Sequence, residues 1–190
     1  MIELEFPIGY HRFHAKQLFN FQLNRWHSLG YMRRQDMEEA GRNVRSFAEW
    51  KRVMRGLSDR ALSENRLVNA AFCCRAAEFY AHSKDPDKRS LYDRFVELFR
   101  EAFAGEPIER HLVPYRGAFL PAMRIIPSSG KKGTVLLHGG FDSFVEEWYS
   151  TMKYFAGRGY EVIAFEGPGQ GAALRRHGLP LTYEWEKPTG

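Results

Sequence analysis

The sequence is poor in cysteine and contains no long apolar run, and each absence excludes a class of protein. Its 190 residues include two cysteines, Cys73 and Cys74, which are adjacent and have no third thiol as a partner. A scaffold held together by disulfides is therefore excluded, and a reducing, cytoplasmic compartment is favoured. No apolar run approaches the roughly 20 residues that a membrane helix requires. The polar N-terminal stretch MIELEFPIGYHRFH does not resemble a signal peptide, so no membrane partner is expected.

The chain also lacks a strong concentration of charge of one sign. Its formal net charge is +5, but basic and acidic residues alternate along most of the sequence, as they do on solvated helix faces. The densest basic stretches, RNVR and KRVMR in residues 42–45 and 51–55, are short. The sequence therefore gives no basis for a nucleic-acid partner.

Nucleotide-binding motifs are absent on closer inspection. The stretch EVIAFEGPGQGAAL fits G-x-G-x-x-[GA] loosely, which is the pattern of a dinucleotide-binding turn. However, this turn follows the second predicted parallel strand rather than the first, and Pro168 removes one backbone donor. No strand that ends in an acid follows about 20 residues later, and no Walker A loop occurs. No cofactor and no metal are expected.

The character of the chain changes near residue 105, which predicts a helical region in residues 1–105 and a mixed α/β region in residues 106–190. Helical spacing of apolar residues predicts helices over 12–28, 37–57 and 64–82. The third carries a stripe of small residues and is expected to be central. A fourth begins at Asp85, which suits an N-cap before Pro86, and ends near Gly105.

The second region predicts strands and turns. Residues 108–114 and 119–126 form an expected antiparallel pair around the turn at 115–118. The runs TVLLHGG and EVIAFE then predict two parallel strands buried on both faces, joined by a helix that Asp142 or Ser143 could cap. Glu146 and Glu147 are expected to be solvated acids at the start of that helix, with one of them facing a ligand site as the alternative.

The glycine pair in LLHGGFDS lies at the carboxyl end of the first parallel strand, immediately before a helix. Open α/β sheets place their ligand sites at this edge. Glycines there allow backbone N–H groups to point into a cleft, where they could stabilise a transient oxyanion. Taken alone, the motif is equally compatible with a tight turn that has no chemical role.

Together, HGGF, the following helix and FEGPGQG resemble the beginning of an α/β-hydrolase. The subgroup with a long N-terminal helical extension is the most similar, and it includes dihydroxypseudooxynicotine hydrolases, FrsA-like proteins and esterase- or peptidase-like enzymes. This resemblance implies an α/β fold in which residues 1–105 form a helical extension or cap. Residues 106–190 would form the first strands of the hydrolase sheet, incomplete at the C-terminus.

The resemblance also implies roles for residues of the two glycine motifs. The Phe141 backbone N–H is expected to donate to the oxyanion, with Gly140 as the other candidate donor. His138 is expected to organise the loop rather than act as the catalytic base, because the family's histidine comes much later in the chain. Glu166 is expected to accept hydrogen bonds from backbone amides of its own turn. The loop-supporting residues are His138, Gly139, Glu166, Gly167 and Gly169.

The nucleophile expected of the family is missing, since no G-x-S-x-G occurs. The resemblance therefore predicts the N-terminal part of a serine hydrolase of esters, amides or activated C–C bonds, inactive by itself, with a small acyl or carbonyl substrate. The alternative is a catalytically silent binding or regulatory protein. Oligomeric state is left open, with a homodimer through the helical region as one outcome.

Overall fold

The computed structural model describes residue 2 and residues 4–189, which form two compact units, residues 1–106 and 107–190. The first unit is helical, and the second combines helices with a mixed four-stranded sheet. The predicted fold class, α/β with a helical N-terminal region, is confirmed. The roles assigned to the two regions, a cap and a hydrolase core, stay predictions. Within the described part of the chain, no helix is both long and apolar enough to cross a membrane.

The described part of the helical unit contains five α-helices, of which the fourth packs against the third and the fifth. They are α1 (Gln17–Ser28), α2 (Arg34–Asn43), α3 (Phe47–Ser63), α4 (Leu67–Phe79) and α5 (Lys88–Ala102). Every residue from Ala70 to Glu78 is buried, in agreement with the expectation that this helix is central. Trp50 of α3 donates its indole N–H to the Ala76 carbonyl at 2.6 Å, and Tyr31 stacks on Phe72. Both cysteines lie in α4 and are buried.

Two predicted helices of this unit were wrong in their limits. The single helix expected over 37–57 is two helices, because Ser46 begins α3 by accepting the Glu49 N–H at 3.2 Å. The Glu49 carboxylate in turn accepts the Arg45 N–H at 2.8 Å, which makes a capping arrangement that stops α2 from continuing. The first helix begins at Gln17 rather than 12, since the Asn24 side chain holds His11 in extended backbone.

The predicted start of the fourth helix was also wrong. α5 begins at Lys88 and its N-cap is Asp87 rather than Asp85. The Asp85 carboxylate accepts the Asp87 N–H at 2.9 Å in a local turn and pairs with Lys51 at 2.8 Å. Asp85 therefore forms the turn that precedes the helix instead of capping it.

The second unit is organised by its sheet, whose strand order is β1-β2-β4-β3. The strands are β1 (Glu109–Tyr115), β2 (Ala118–Ile125), β3 (Gly133–His138) and β4 (Tyr160–Phe165). β1 and β2 are antiparallel across a two-residue turn in which Arg116 and Gly117 both have positive φ, 47° and 77°. That conformation is a type I′ turn, which matches the twist of a hairpin. β3 and β4 are parallel, as predicted.

The segments between and after the strands are short. A 3₁₀ helix (Val145–Trp148) leads into α6 (Tyr149–Ala156), and α7 (Gly171–Arg175) and α8 (Glu186–Thr189) follow β4. β4 is largely buried, but the prediction that β3 is buried on both faces was wrong. Thr134, Leu136 and His138 are exposed and alternate with the half-buried Val135 and Leu137, so among the described residues one face of β3 is left uncovered.

Candidate active site

The two glycine motifs lie side by side at one edge of the sheet. His138 and Phe165 are register partners, so parallel strands β3 and β4 end together. The HGGF loop (residues 138–141) leaves β3 and the GPGQG turn (residues 167–171) leaves β4 one residue after Glu166. The fold thus brings together the residues that the sequence singled out, at the carboxyl edge of parallel strands where α/β proteins bind ligands.

The HGGF loop presents free backbone donors. Among the described residues, neither the Gly140 N–H nor the Phe141 N–H donates to a protein group. The Phe141 side chain is 71% exposed, so its aromatic ring does not anchor the loop. A Cβ atom on Gly140 would meet only the Asp142 carboxylate, at 3.7 Å. The space around this part of the loop is therefore open to a ligand.

Gly139, by contrast, is tightly enclosed. A Cβ atom there would lie 2.3 Å from the Cβ of Ser143 and 2.9 Å from the indole nitrogen of Trp148. Any side chain would push the loop away from the segment that follows it. Glycine at 139 is thus required for close packing, whereas the neighbouring Gly140 faces open space.

His138 is held by aromatic neighbours. Its ring stacks on Trp185 with centroids 5.3 Å apart and lies 5.9 Å from the ring of Phe165. Its Nδ1 atom lies 3.3 Å from the Gly139 carbonyl oxygen. Among the described residues, no carboxylate pairs with this imidazole in the way that an acid orients a catalytic histidine. These contacts suit a residue that shapes the loop.

The glycines of the GPGQG turn allow close approach of the segment that follows. A Cβ atom at Gly167 would lie 2.4 Å from the Trp185 ring, and one at Gly169 would lie 2.7 Å from the Leu181 backbone. Gly169 has a φ of +86° and donates its N–H to the Leu179 carbonyl at 2.9 Å. The segment 179–185 therefore packs directly on the turn.

Glu166 links the beginnings of two helices. Its carboxylate accepts the Val145 N–H at 2.9 Å, where the 3₁₀ helix begins, and the Ala172 N–H at 2.6 Å in the first turn of α7. Neither helix has a side-chain cap from its own N-cap residue. Glu166 thus contacts the residue that follows the GPGQG turn and also reaches the segment that follows the HGGF loop, while its role in supporting the loop stays a prediction.

Burial of Glu166 has an electrostatic consequence. The residue is 1% exposed, and this desolvation raises the pKa of its carboxyl group, with the nearby Glu146 carboxylate as a second cause. The amides of Val145 and Ala172 oppose the shift because they stabilise the charged form. Glu146 and Glu147 are themselves buried, so the expectation that they are solvated helix-start acids was wrong.

Gln170 is the residue of this site that the sequence reasoning missed. It is 1% exposed, and its Nε2 atom donates to the carbonyls of Gly139 at 2.5 Å and Gly140 at 2.6 Å. Its Oε1 atom accepts the Gly167 N–H at 2.8 Å. The available signal was an amide side chain between glycines at a strand's carboxyl end, where a buried polar group must find partners.

Among the described residues, no group of three His, Cys, Asp or Glu side chains is arranged to hold a metal ion. The chemistry that the two motifs themselves can offer is hydrogen-bond donation from backbone amides.

Comparison with known proteins gives relatives with a common description. No protein-family model matches the chain. It is 33% identical over 177 residues to hydrolase acrC of Aspergillus aculeatus, a match that covers 76% of this chain and 40% of the relative. It is 43% identical over 149 residues to alpha/beta hydrolase psoB of Aspergillus fumigatus, covering 70% of this chain and 33% of the relative. The chain thus spans less than half the length of these relatives.

Solved structures share the fold. The 2,6-dihydroxy-pseudo-oxynicotine hydrolase matches with a TM-score of 0.61 and 24% identity, over 87% of this chain and 50% of that chain. AbyA5 matches with a TM-score of 0.64 and 18% identity, over 81% of this chain and 44% of that chain.

Proposed function

We propose, on the premise that this chain is α/β-hydrolase-like in sequence and fold, that it forms part of a hydrolase and supplies its oxyanion donors. The observation that carries the proposal is the pair of unengaged N–H groups at Gly140 and Phe141, at the carboxyl edge of parallel strands. Backbone donors fixed in this way stabilise the negative charge that develops on a carbonyl oxygen during acyl transfer.

The reaction proposed is nucleophilic attack on a carbonyl carbon. The carbonyl belongs to an ester or an amide, or it is adjacent to an activated C–C bond. A serine nucleophile, a histidine that moves its proton and an acid that orients the histidine would complete the site. The 190 residues contain no G-x-S-x-G sequence. We therefore assign them no nucleophile and propose that they do not catalyse hydrolysis alone. The proposed setting is the cytoplasm, as expected from the two unpaired cysteines.

The experiment compares the 190-residue chain with the product of the complete reading frame. Both are treated with a fluorophosphonate probe for activated serines and assayed with a series of p-nitrophenyl esters. We expect labelling and turnover by the complete product alone. Labelling of a serine within the 190 residues would contradict the assignment of the nucleophile. A folded complete product with neither labelling nor turnover would favour a binding or regulatory role.

A pair of substitutions at Phe141 tests the oxyanion donor itself in the complete product. Phe141→Pro removes the N–H, whereas Phe141→Ala keeps it and removes only an exposed ring. Loss of one such donor typically lowers kcat on the order of 10²-fold to 10³-fold. We expect that decrease for proline and a near-normal kcat for alanine. If the two variants have equal thermal stability and equal kcat values, the Phe141 N–H is not an oxyanion donor.

A further inference from the structure

The side-chain amide of Gln170 is completely engaged, and the direction of each of its hydrogen bonds is determined. The Gly167 N–H can only donate, so the Gln170 atom that faces it at 2.8 Å is the acceptor Oε1. Nε2 consequently faces the Gly139 and Gly140 carbonyls, to which it donates. With 1% of the residue exposed, water does not compete for these bonds.

Because the peptide bond is planar, the direction of each carbonyl also fixes the direction of the N–H group of the next residue. In a trans peptide the C=O of one residue and the N–H of the next point in opposite directions, and the described chain has no cis peptide. Because the Gly139 carbonyl points at Gln170, the Gly140 N–H points away from it. The Gly140 carbonyl also points at Gln170, so the Phe141 N–H is directed away in the same manner.

We propose that Gln170 is a positioning residue that orients both oxyanion donors by holding the two carbonyls behind them. This inference rests on the proposed function for its catalytic meaning, but the orientation of the two peptides does not depend on it. Gln170 touches no reacting atom in this scheme. It acts through the backbone of the HGGF loop, and it makes the loop and the GPGQG turn one unit.

The two peptides do not depend on Gln170 equally. The Gly140 carbonyl has a second backbone donor, the Ser143 N–H at 3.0 Å. Apart from Gln170, the one hydrogen-bonding group of the described residues that lies near the Gly139 carbonyl is the exposed His138 ring, at 3.3 Å. Loss of the Gln170 donors should therefore release the peptide that carries the Gly140 N–H more than the peptide that carries the Phe141 N–H.

Gln170→Glu is the most informative substitution because it preserves side-chain length and the acceptor for Gly167. It replaces the two donor hydrogens with a carboxylate oxygen that is repelled by both carbonyls. At lower pH the new carboxyl group gains a proton and can donate one hydrogen bond again. Thr134→Val on β3 is the matched control, since it removes one side-chain hydrogen bond, to Glu161, elsewhere in the same sheet.

The first measurement does not require catalysis. Carbonyl ¹³C and amide resonances of residues 139–141 are followed by NMR in the 190-residue chain and its variants. In Gln170→Glu, at a pH high enough to ionise the new carboxyl group, whose pKa burial raises, we expect the Gly139 and Gly140 carbonyls to move upfield, Gly139 further, as they do when a hydrogen bond is lost. Lowering the pH should reverse part of that movement. Carbonyls that stay in place in a folded Gln170→Glu variant would overturn the proposal.

The second measurement is the hydrolysis of aryl esters by the complete product. Oxyanion donors act in the transition state, so Gln170→Glu should lower kcat on the order of 10²-fold with a much smaller change in KM. Relative to wild type at each pH, kcat should recover in part as the pH falls. A kcat equal to that of Thr134→Val would overturn the catalytic role. If no version hydrolyses any ester, the proposed function fails while the carbonyl measurement still decides the positioning role.

Discussion

Gly41 and Gly56 show how one residue type can serve opposite needs in neighbouring helices. In α2, a Cβ atom at Gly41 would lie 1.9 Å from the backbone oxygen of Phe13, which allows no adjustment of a flexible side chain. In α3, a Cβ atom at Gly56 would meet nothing within 4 Å. Glycine at position 41 is thus required by the close passage of another chain segment, whereas at position 56 it only costs helix stability.

The matched substitutions are therefore expected to have opposite effects. Gly56→Ala should stabilise the helical unit by about 1 kcal/mol, the difference in helix propensity. Gly41→Ala should destabilise it by roughly 1–3 kcal/mol through overpacking. Chemical denaturation monitored by helical circular dichroism provides the measurement. A Gly41→Ala variant as stable as Gly56→Ala would show that residue 13 is not packed on α2.

Residues could be assigned to the candidate site from the sequence only where they form part of a recognisable backbone motif. HGGF indicated a turn at a strand end, because consecutive glycines after an apolar run have few other uses. Gln170 and Glu146 could not be found in this way. Their significance depends on burial, which is set by contacts between segments about 20 to 30 residues apart in the chain. Local periodicity carries no information about such contacts.

At the scale of elements, Glu166 joins the 3₁₀ helix to α7 with a group that burial disfavours as an anion. Its raised pKa means that the folded state holds a proton which the unfolded chain releases at lower pH. The folded state then binds more protons than the unfolded state, so stability decreases as pH rises from the unfolded pKa of 4.5 towards the folded pKa. The limiting slope for one proton is about 1.4 kcal/mol per pH unit.

We predict that Glu166→Gln abolishes this slope. Urea unfolding between pH 5 and 8, followed by NMR signals of residues 107–189, should show the wild-type sheet unit losing stability with rising pH relative to the variant. Glu186→Gln, at an exposed position, should retain the wild-type slope. A constant difference between wild type and Glu166→Gln across this range would contradict the shifted pKa.

Glu161 acts in a separate range of pH. Its carboxylate accepts bonds from Lys131, Thr134 and Arg124, which lower its pKa to about 2. A lowered pKa contributes stability that is complete above the unfolded pKa of 4.5 and lost as pH falls below it. The acid-side loss therefore does not overlap with the change assigned to Glu166.

Element limits were predictable where the signal was local. The hairpin at residues 115–118 and the parallel strands follow directly from turn residues and apolar runs. The break between α2 and α3 also had a local signal, Ser46 followed three residues later by Glu49, but the apolar spacing across it concealed the break. The start of α1 had no such signal, because it is set by asparagine side chains that bind the preceding extended segment.

At the scale of the molecule, alternation of strands and helices in the second unit was sufficient to predict an α/β sheet. The exposure of one face of β3 was not predictable, since an apolar run does not reveal whether another element covers each face of its strand. The six residues of β3 include no Lys, Arg, Asp or Glu, and Leu136 is 56% exposed. Edge strands without charge tend to pair with strands of other molecules.

We therefore predict concentration-dependent association of the 190-residue chain through β3. Leu136→Lys should lower the apparent molecular mass at high concentration in size-exclusion chromatography with light scattering. Leu181→Lys changes a similarly exposed leucine outside the strands and should leave association unchanged. Association that neither substitution alters would point instead to the helical unit, the surface proposed for a homodimer.

The two cysteines of α4 provide an intrinsic chemical probe of how often the helical unit opens. Burial raises the pKa of both thiols, that of Cys74 to about 12, so neither forms the reactive thiolate in the closed structure. A thiol reagent can modify them only after α4 has been uncovered. Because the 190 residues hold no other cysteine, the modification rate reports the opening of the helical unit alone, without any introduced label.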